Sequence, residues 1–175
     1  WPEEFRDGYV MTDINTEINA LMVFSARKLA ELGRNAGKTA EANLLDQQAD
    51  RTCSAMTHRL IDNSTRLFVD GLLGAENHSS WHAQTWPLWT GIAPPSSVEP
   101  MLEYIKKRGM VGSVYAAYSM LMALYMVDSD HGMGAHQILT NCDENSWCNM
   151  LKVNATATME AWSTNEKPNL SWSHP

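Results

Sequence analysis

From Ser113 to Val127 the chain is apolar nearly all the way round, interrupted in its middle by Ser119. A helix without a polar face has to be covered on every side. That requirement constrains the fold more than any other feature, because the remaining residues must supply the cover. The stretch is shorter than the roughly 20 apolar residues that cross a bilayer. It therefore reads as a buried helix, and no membrane partner is expected.

The cover is itself helical. Ile14, Ile18, Leu21, Met22, Ser25, Leu29 and Leu32 follow the rhythm of one helix face. Asp13 is placed to cap the start of that helix, and Gly33 or Gly37 its end. A second helix is predicted from about Thr39 to Leu60, with Leu44, Leu45, Met56 and Leu60 inward. Residues 62–78 read as loop, and a third helix runs from near Ser80 to before Gly91. Ser96 and Glu99 have the spacing of a capping box ahead of Val98, Met101, Leu102 and Ile105. Gly109 stops that helix. Segments 132–139 and 147–162 complete the set. No alternating strand with a hairpin turn is found, and no internal repeat. Amphipathic helices alternating with more buried ones make nested helical hairpins, so the chain is read as all-α and as one domain over residues 1–175.

Composition excludes several roles. With 175 residues, 44% of them apolar, the chain can bury a core. Its net charge of −7 argues against a nucleic-acid partner, which needs clustered Lys and Arg. The phosphate-binding Gly patterns and the Gly-x-Ser-x-Gly hydrolase elbow are missing. No metal-ligand spacing is seen, so no metal and no cofactor is expected. Asn63, Asn77, Asn154 and Asn169 each open an Asn-x-Ser/Thr sequon without Pro in the middle. Four in one short chain suggest a secreted, extracellular glycoprotein. Cys142 and Cys148 flank a short polar loop and are placed to close a disulfide, which leaves Cys53 over.

What remains for chemistry is carboxylate, aromatic and imidazole. Seven tryptophans are many for this length, although packing is the ordinary role of each. Trp81, Trp86 and Trp89 fall roughly on one helix face, and core packing is expected for two of the three. Glu160 is the most telling carboxylate. It stands alone in the otherwise uncharged stretch Val153 to Trp162, near the end of an apolar helix, and it is either a buried catalytic group or an outward-facing residue. Trp162 and Trp172 nearby favour a sugar site.

Taken in order, the segments Trp1-Pro2, Asn15 to Ala20, His78 to Ala83, Gly109 to Tyr118, Thr158 to Trp162 and Ser173-His174-Pro175 resemble the catalytic domain of the α-L-rhamnosidases of glycoside hydrolase family 78. The resemblance runs over almost the whole chain. It implies an (α/α)6 toroid that hydrolyses terminal non-reducing α-L-rhamnose from glycosides or glycans with inversion. Glu160 takes the place of the general base. Trp1 and His174 correspond to residues lining the rhamnose pocket, with Trp86 a weaker correspondence. The family's general acid lies upstream of the Trp-Pro motif, and about seven helices are read here where a toroid has six hairpins. The chain is thus expected to be roughly the second half of the toroid, a piece of a longer protein, with the remaining upstream part of the same domain as its partner. Two other readings stand beside this one: a non-catalytic carbohydrate-binding toroid, and another toroid glycosidase or a polysaccharide lyase, for which Lys106, Lys107 and Arg108 would be the cationic groups. A favourable contact with the end of their own helix explains those three more simply.

Overall fold

The computed structural model describes residues 6–127 and 132–166. Trp1, Asn169 and His174 lie outside the described residues. Among the described residues there are seven helices and one two-stranded pairing.

The first helix, α1 (Thr16–Asn35), begins where the Asn15 side chain accepts the Ile18 N–H at 2.9 Å. Asn15, and not Asp13, is therefore its cap. At the other end Gly37 sits at φ +76°. Its N–H donates to the Arg34 carbonyl while the Lys38 N–H donates to Gly33. The left-handed residue closes both bonds and turns the chain into α2 (Thr39–Arg59).

The two helices meet through small residues. Ala20, Val23, Ala26 and Ala30 of α1 are buried, as are Ala42 and Ala49 of α2. The large aliphatic stripe expected to face inward does not: Ile18, Leu29 and Leu32 are 57%, 55% and 64% exposed, and Leu44 of α2 is 65% exposed. The physical reason is that α1 carries two apolar faces. The alanine face permits the closer approach and takes α2, so the larger face is left exposed.

A short antiparallel pairing joins β1 (Ile14–Asn15) to β2 (Gly71–Leu72), with Asn15 opposite Gly71. Two residues are too few for alternation to announce a strand, which is why no strand was predicted. A Cβ at position 71 would overlap the Thr12 hydroxyl and the Ile14 carbonyl, so this approach requires glycine.

Beside this pairing lies Asp70, fully buried. Its carboxylate accepts the Val10 and Ser80 N–H groups, each at 2.8 Å, and pairs with His78 Nδ1 at 2.5 Å. Asp7 accepts the Trp81 N–H at 2.6 Å and pairs with Arg108 at 2.8 Å. These two carboxylates tie the 6–10 segment and the 70–80 loop to the start of α3 (Trp81–Trp89) and the end of α4 (Pro95–Arg108). Ser80 caps α3 by accepting the Ala83 N–H. The capping box expected at α4 does not form. Pro94 is the cap and makes no side-chain bond, and the Ser96 hydroxyl instead accepts from Arg66. Pro95 already sets the first helical φ, so the helix starts without it. Gly109 ends α4 at φ +66°, as its position implied.

The remaining helices are α5 (Ala117–Val127), α6 (Met133–Thr140) and α7 (Trp147–Lys152). In space α1, α3 and α5 make one row, each against the next, and α2, α4 and α6 pack on them in turn. The result is three helical hairpins followed by α7 against α6. Among the described residues, helix α5 is covered by α3, α4 and α6 and keeps one face exposed. Ala117, Met120, Ala123 and Leu124 are buried, while Tyr118, Tyr125 and Met126 are 57%, 50% and 63% exposed.

The helix expected over 147–162 stops at Lys152. Asn154 adopts φ +62°. Its N–H donates to Leu151 and that of Ala155 to Met150, the bonds of a left-handed helix stop. Asparagine tolerates that geometry, and Thr156 and Thr158 give little reason to resume a helix. Glu160 therefore stands on an irregular segment and not at the end of a helix.

Candidate active site

The row α1–α3–α5 turns an aromatic wall to one side. Leu21 of α1, Trp86 and Trp89 of α3, Val114, Tyr115, Tyr118, Ser119 and Leu121 around α5, Trp147 of α7 and Thr158 enclose a cavity of about 570 Å³. Trp89 is its centre: its ring lies 5.0 Å from Phe24, 5.1 Å from Trp86 and 5.3 Å from Tyr118, the last edge-on at 85°. Such tilted and edge-on contacts fix the rings and leave flat faces for a ligand. Among the described residues, the side-chain hydroxyls on the wall besides the tyrosines are those of Ser119 and Thr158. Of the three tryptophans of α3, Trp81 is fully buried, whereas Trp86 and Trp89 are half-buried on the cavity wall. One of them, and not two, is simply core.

Trp81 explains a glycine. A Cβ at Gly112 would lie 2.7 Å from the Trp81 ring, so no larger residue fits there without moving the ring. The Gly112 carbonyl in turn accepts the Trp162 indole N–H at 2.8 Å. Trp162 is 1% exposed and meets Trp147 edge-on at 5.0 Å. It therefore offers no face to a sugar, contrary to the role its position suggested. Its ring is an anchor.

The segment carrying Glu160 hangs between two anchors. On one side Met159 is fully buried and its N–H donates to the Met150 sulfur at 3.4 Å. On the other, Ala161 and Trp162 are buried. Thr158 and Glu160 are both half-buried, flanking Met159, and Thr158 reaches the cavity wall. Glu160 is thus two residues along the chain from the lining residue Thr158, on backbone held from both ends, and is not itself one of the residues that line the cavity.

A disulfide joins Cys142 to Cys148, with their Cα atoms 5.0 Å apart. Inside this loop the buried Ser146 caps α7 by accepting the Asn149 N–H, and its hydroxyl donates to the Asp143 carbonyl. The loop thereby fixes the start of α7, and with it Trp147. Cys53 is half-buried and forms no disulfide. Asn63, Asn77 and Asn154 are exposed.

Two groups were missed by sequence reasoning. Glu17 lies in the first turn of α1, one turn before Leu21, and is half-buried. Burial raises its pKa above the ordinary carboxylate value. Tyr9 is its neighbour, and burial likewise raises its phenol. Neither has a sequence signal, since Glu17 reads as an ordinary first-turn acid. Among the described residues no cluster of His, Cys, Asp and Glu could hold a metal ion, and no helix is long and apolar enough to cross a membrane.

Against known proteins, the chain matches the bacterial alpha-L-rhamnosidase six-hairpin glycosidase domain over residues 1–175. A search of curated proteins found no match. Among solved structures, the alpha-L-rhamnosidase from Dictyoglumus thermophilum superposes with a TM-score of 0.65 at 19% identity, over 81% of this chain. The matched chain is much longer, and this chain spans 16% of it. The row of hairpins is thus part of a six-hairpin toroid, and with the family model matching from end to end the chain belongs to the bacterial alpha-L-rhamnosidase six-hairpin glycosidase domain family.

Proposed function

We propose that the protein containing this chain hydrolyses terminal non-reducing α-L-rhamnosides with inversion, and that Glu160 is its general base. Membership of a glycosidase domain family supports hydrolysis of a glycoside. The observation that supports the finer reading is the Thr158–Trp162 segment: Thr158 lines the aromatic cavity, and Glu160 follows two residues later on doubly anchored backbone. Flat indole and phenol faces suit the C–H faces of a deoxy sugar.

In this mechanism the ionised Glu160 takes a proton from a water molecule. The oxygen of that water attacks the anomeric carbon from the face opposite the aglycone. The second carboxyl group, which protonates the departing glycosidic oxygen, belongs to the remaining part of the domain. The two would stand about 6.5–9.5 Å apart to leave room for the water. Trp86 borders the sugar from the cavity wall, with Trp1 and His174 completing the rhamnose pocket. Secretion with glycans on Asn63, Asn77, Asn154 and Asn169 belongs to the same proposal. The three described acceptors are exposed, as glycan attachment requires.

The test is Glu160→Gln in the full-length protein, assayed on an aryl α-L-rhamnoside. The expected loss in kcat is about 10²- to 10⁴-fold, the usual worth of a positioned base. A near-normal rate removes Glu160 from the role.

A further inference from the structure

We infer that Trp162 is a positioning residue, holding Glu160 in place through its indole N–H on the Gly112 carbonyl. The inference rests on the reading of Glu160 as the base. Glu160 stands on irregular backbone, without a helix of its own to fix it. The backbone that carries it is gripped at the residues on either side. Trp162, two residues later, is buried, stacked edge-on against Trp147 and tied to Gly112 by a 2.8 Å bond. Gly112 itself lies against the Trp81 ring and is bridged to Arg6. Trp162 thus fastens the carboxylate's segment to the fully buried core of α3. Met150 provides a second hold from the opposite side, through its sulfur on the Met159 N–H. A small displacement of a catalytic base is costly: about 1 Å can lower the rate on the order of 10²-fold.

The variant Trp162→Phe keeps an aromatic ring and removes the N–H. Made in the full-length protein and assayed per folded molecule, it is expected to lower kcat by about 10- to 100-fold. KM should stay within about twofold, and the acidic limb of the pH profile should shift, because the base titrates in altered surroundings. A purely structural role would lower the amount of folded enzyme and leave that limb where it was. An unchanged kcat, or an unmoved acidic limb, overturns the inference. If Trp162→Phe does not fold, Met150→Leu is read in its place. It preserves volume and removes only the sulfur acceptor. It is expected to show the same signature at less than about tenfold in kcat, since a thioether is a weak acceptor. No change in that variant then overturns the clamp. Glu160→Gln separates the two ideas. If it retains activity, the assignment of the base fails. If it is inactive while Trp162→Phe is normal, only the positioning role fails.

Discussion

Glu17 shows how one residue takes its properties from its surroundings. Its place in the first turn of α1 favours the ionised form through the helix dipole. Burial opposes it and wins, because its pKa is raised. The sign follows directly. A carboxyl whose folded pKa lies above the unfolded one stabilises the fold at low pH, and that contribution is lost as pH rises through the folded value. Glu17→Gln should therefore match the native protein in thermal stability near pH 4 and exceed it as pH rises above the ordinary carboxylate range. Melting curves of both proteins across that range check this, and parallel curves would contradict it. Nothing in the sequence marks Glu17, because burial is a property of the fold. The same holds for Gly112, whose need for a bare Cα exists only because Trp81 lies on it. Glu160 was legible for the opposite reason: a lone acid in an uncharged stretch is visible without any fold. Trp162 was visible too, but its burial reversed its meaning from a sugar platform to an anchor.

Among the elements, the presence of helices was legible and their orientation was not. The start of α3 at Ser80 and the stop of α4 at Gly109 follow from local chemistry, a hydroxyl cap and a left-handed glycine. The face that α1 presents to α2 does not. Periodicity finds an apolar face, but it cannot choose between two when one is lined with alanines. The end of α7 was missed because Asn154, an unremarkable polar residue in sequence, adopts the left-handed conformation that ends it. The loop before α7 carries its own prediction. Closing the 142–148 ring by a disulfide restricts the unfolded chain, an effect of about 2 kcal/mol for a loop of this size. Reduction, or the double replacement Cys142→Ser with Cys148→Ser, should lower the melting temperature measurably and loosen Trp147, seen as a change in tryptophan fluorescence. No shift in melting temperature would mean that α7 is held without the bridge.

For the whole molecule, three hairpins and α7 leave two sides of the helical row open. On α1, Ile18, Leu29 and Leu32 are exposed, and on α5, Tyr125 and Met126. Uncovered apolar area costs about 25 cal/mol per Å², so residues of this size are expected to meet further helices of the toroid. The apolar stretch from Ser113 to Val127 makes the same demand. Its cover among the described residues comes from α3, α4 and α6, and its exposed face is expected to meet the remaining part of the domain. Leu29→Glu in the full-length protein discriminates between the possibilities. With the stripe covered, stability should fall by about 2–3 kcal/mol, as for a charge placed in an apolar interface. With the stripe in water, the change should stay within about 0.5 kcal/mol. Denaturant unfolding reads the difference.

The proposed hydrolysis of a rhamnoside is tested most directly by following the sugar itself. The full-length protein is incubated with an aryl α-L-rhamnoside, and the first-formed product is observed by proton NMR before it mutarotates. The account predicts release of L-rhamnose, appearing first as the β-anomer, because water directed by Glu160 enters from the face opposite the aglycone. First release of the α-anomer, or binding of the rhamnoside without turnover, would contradict it.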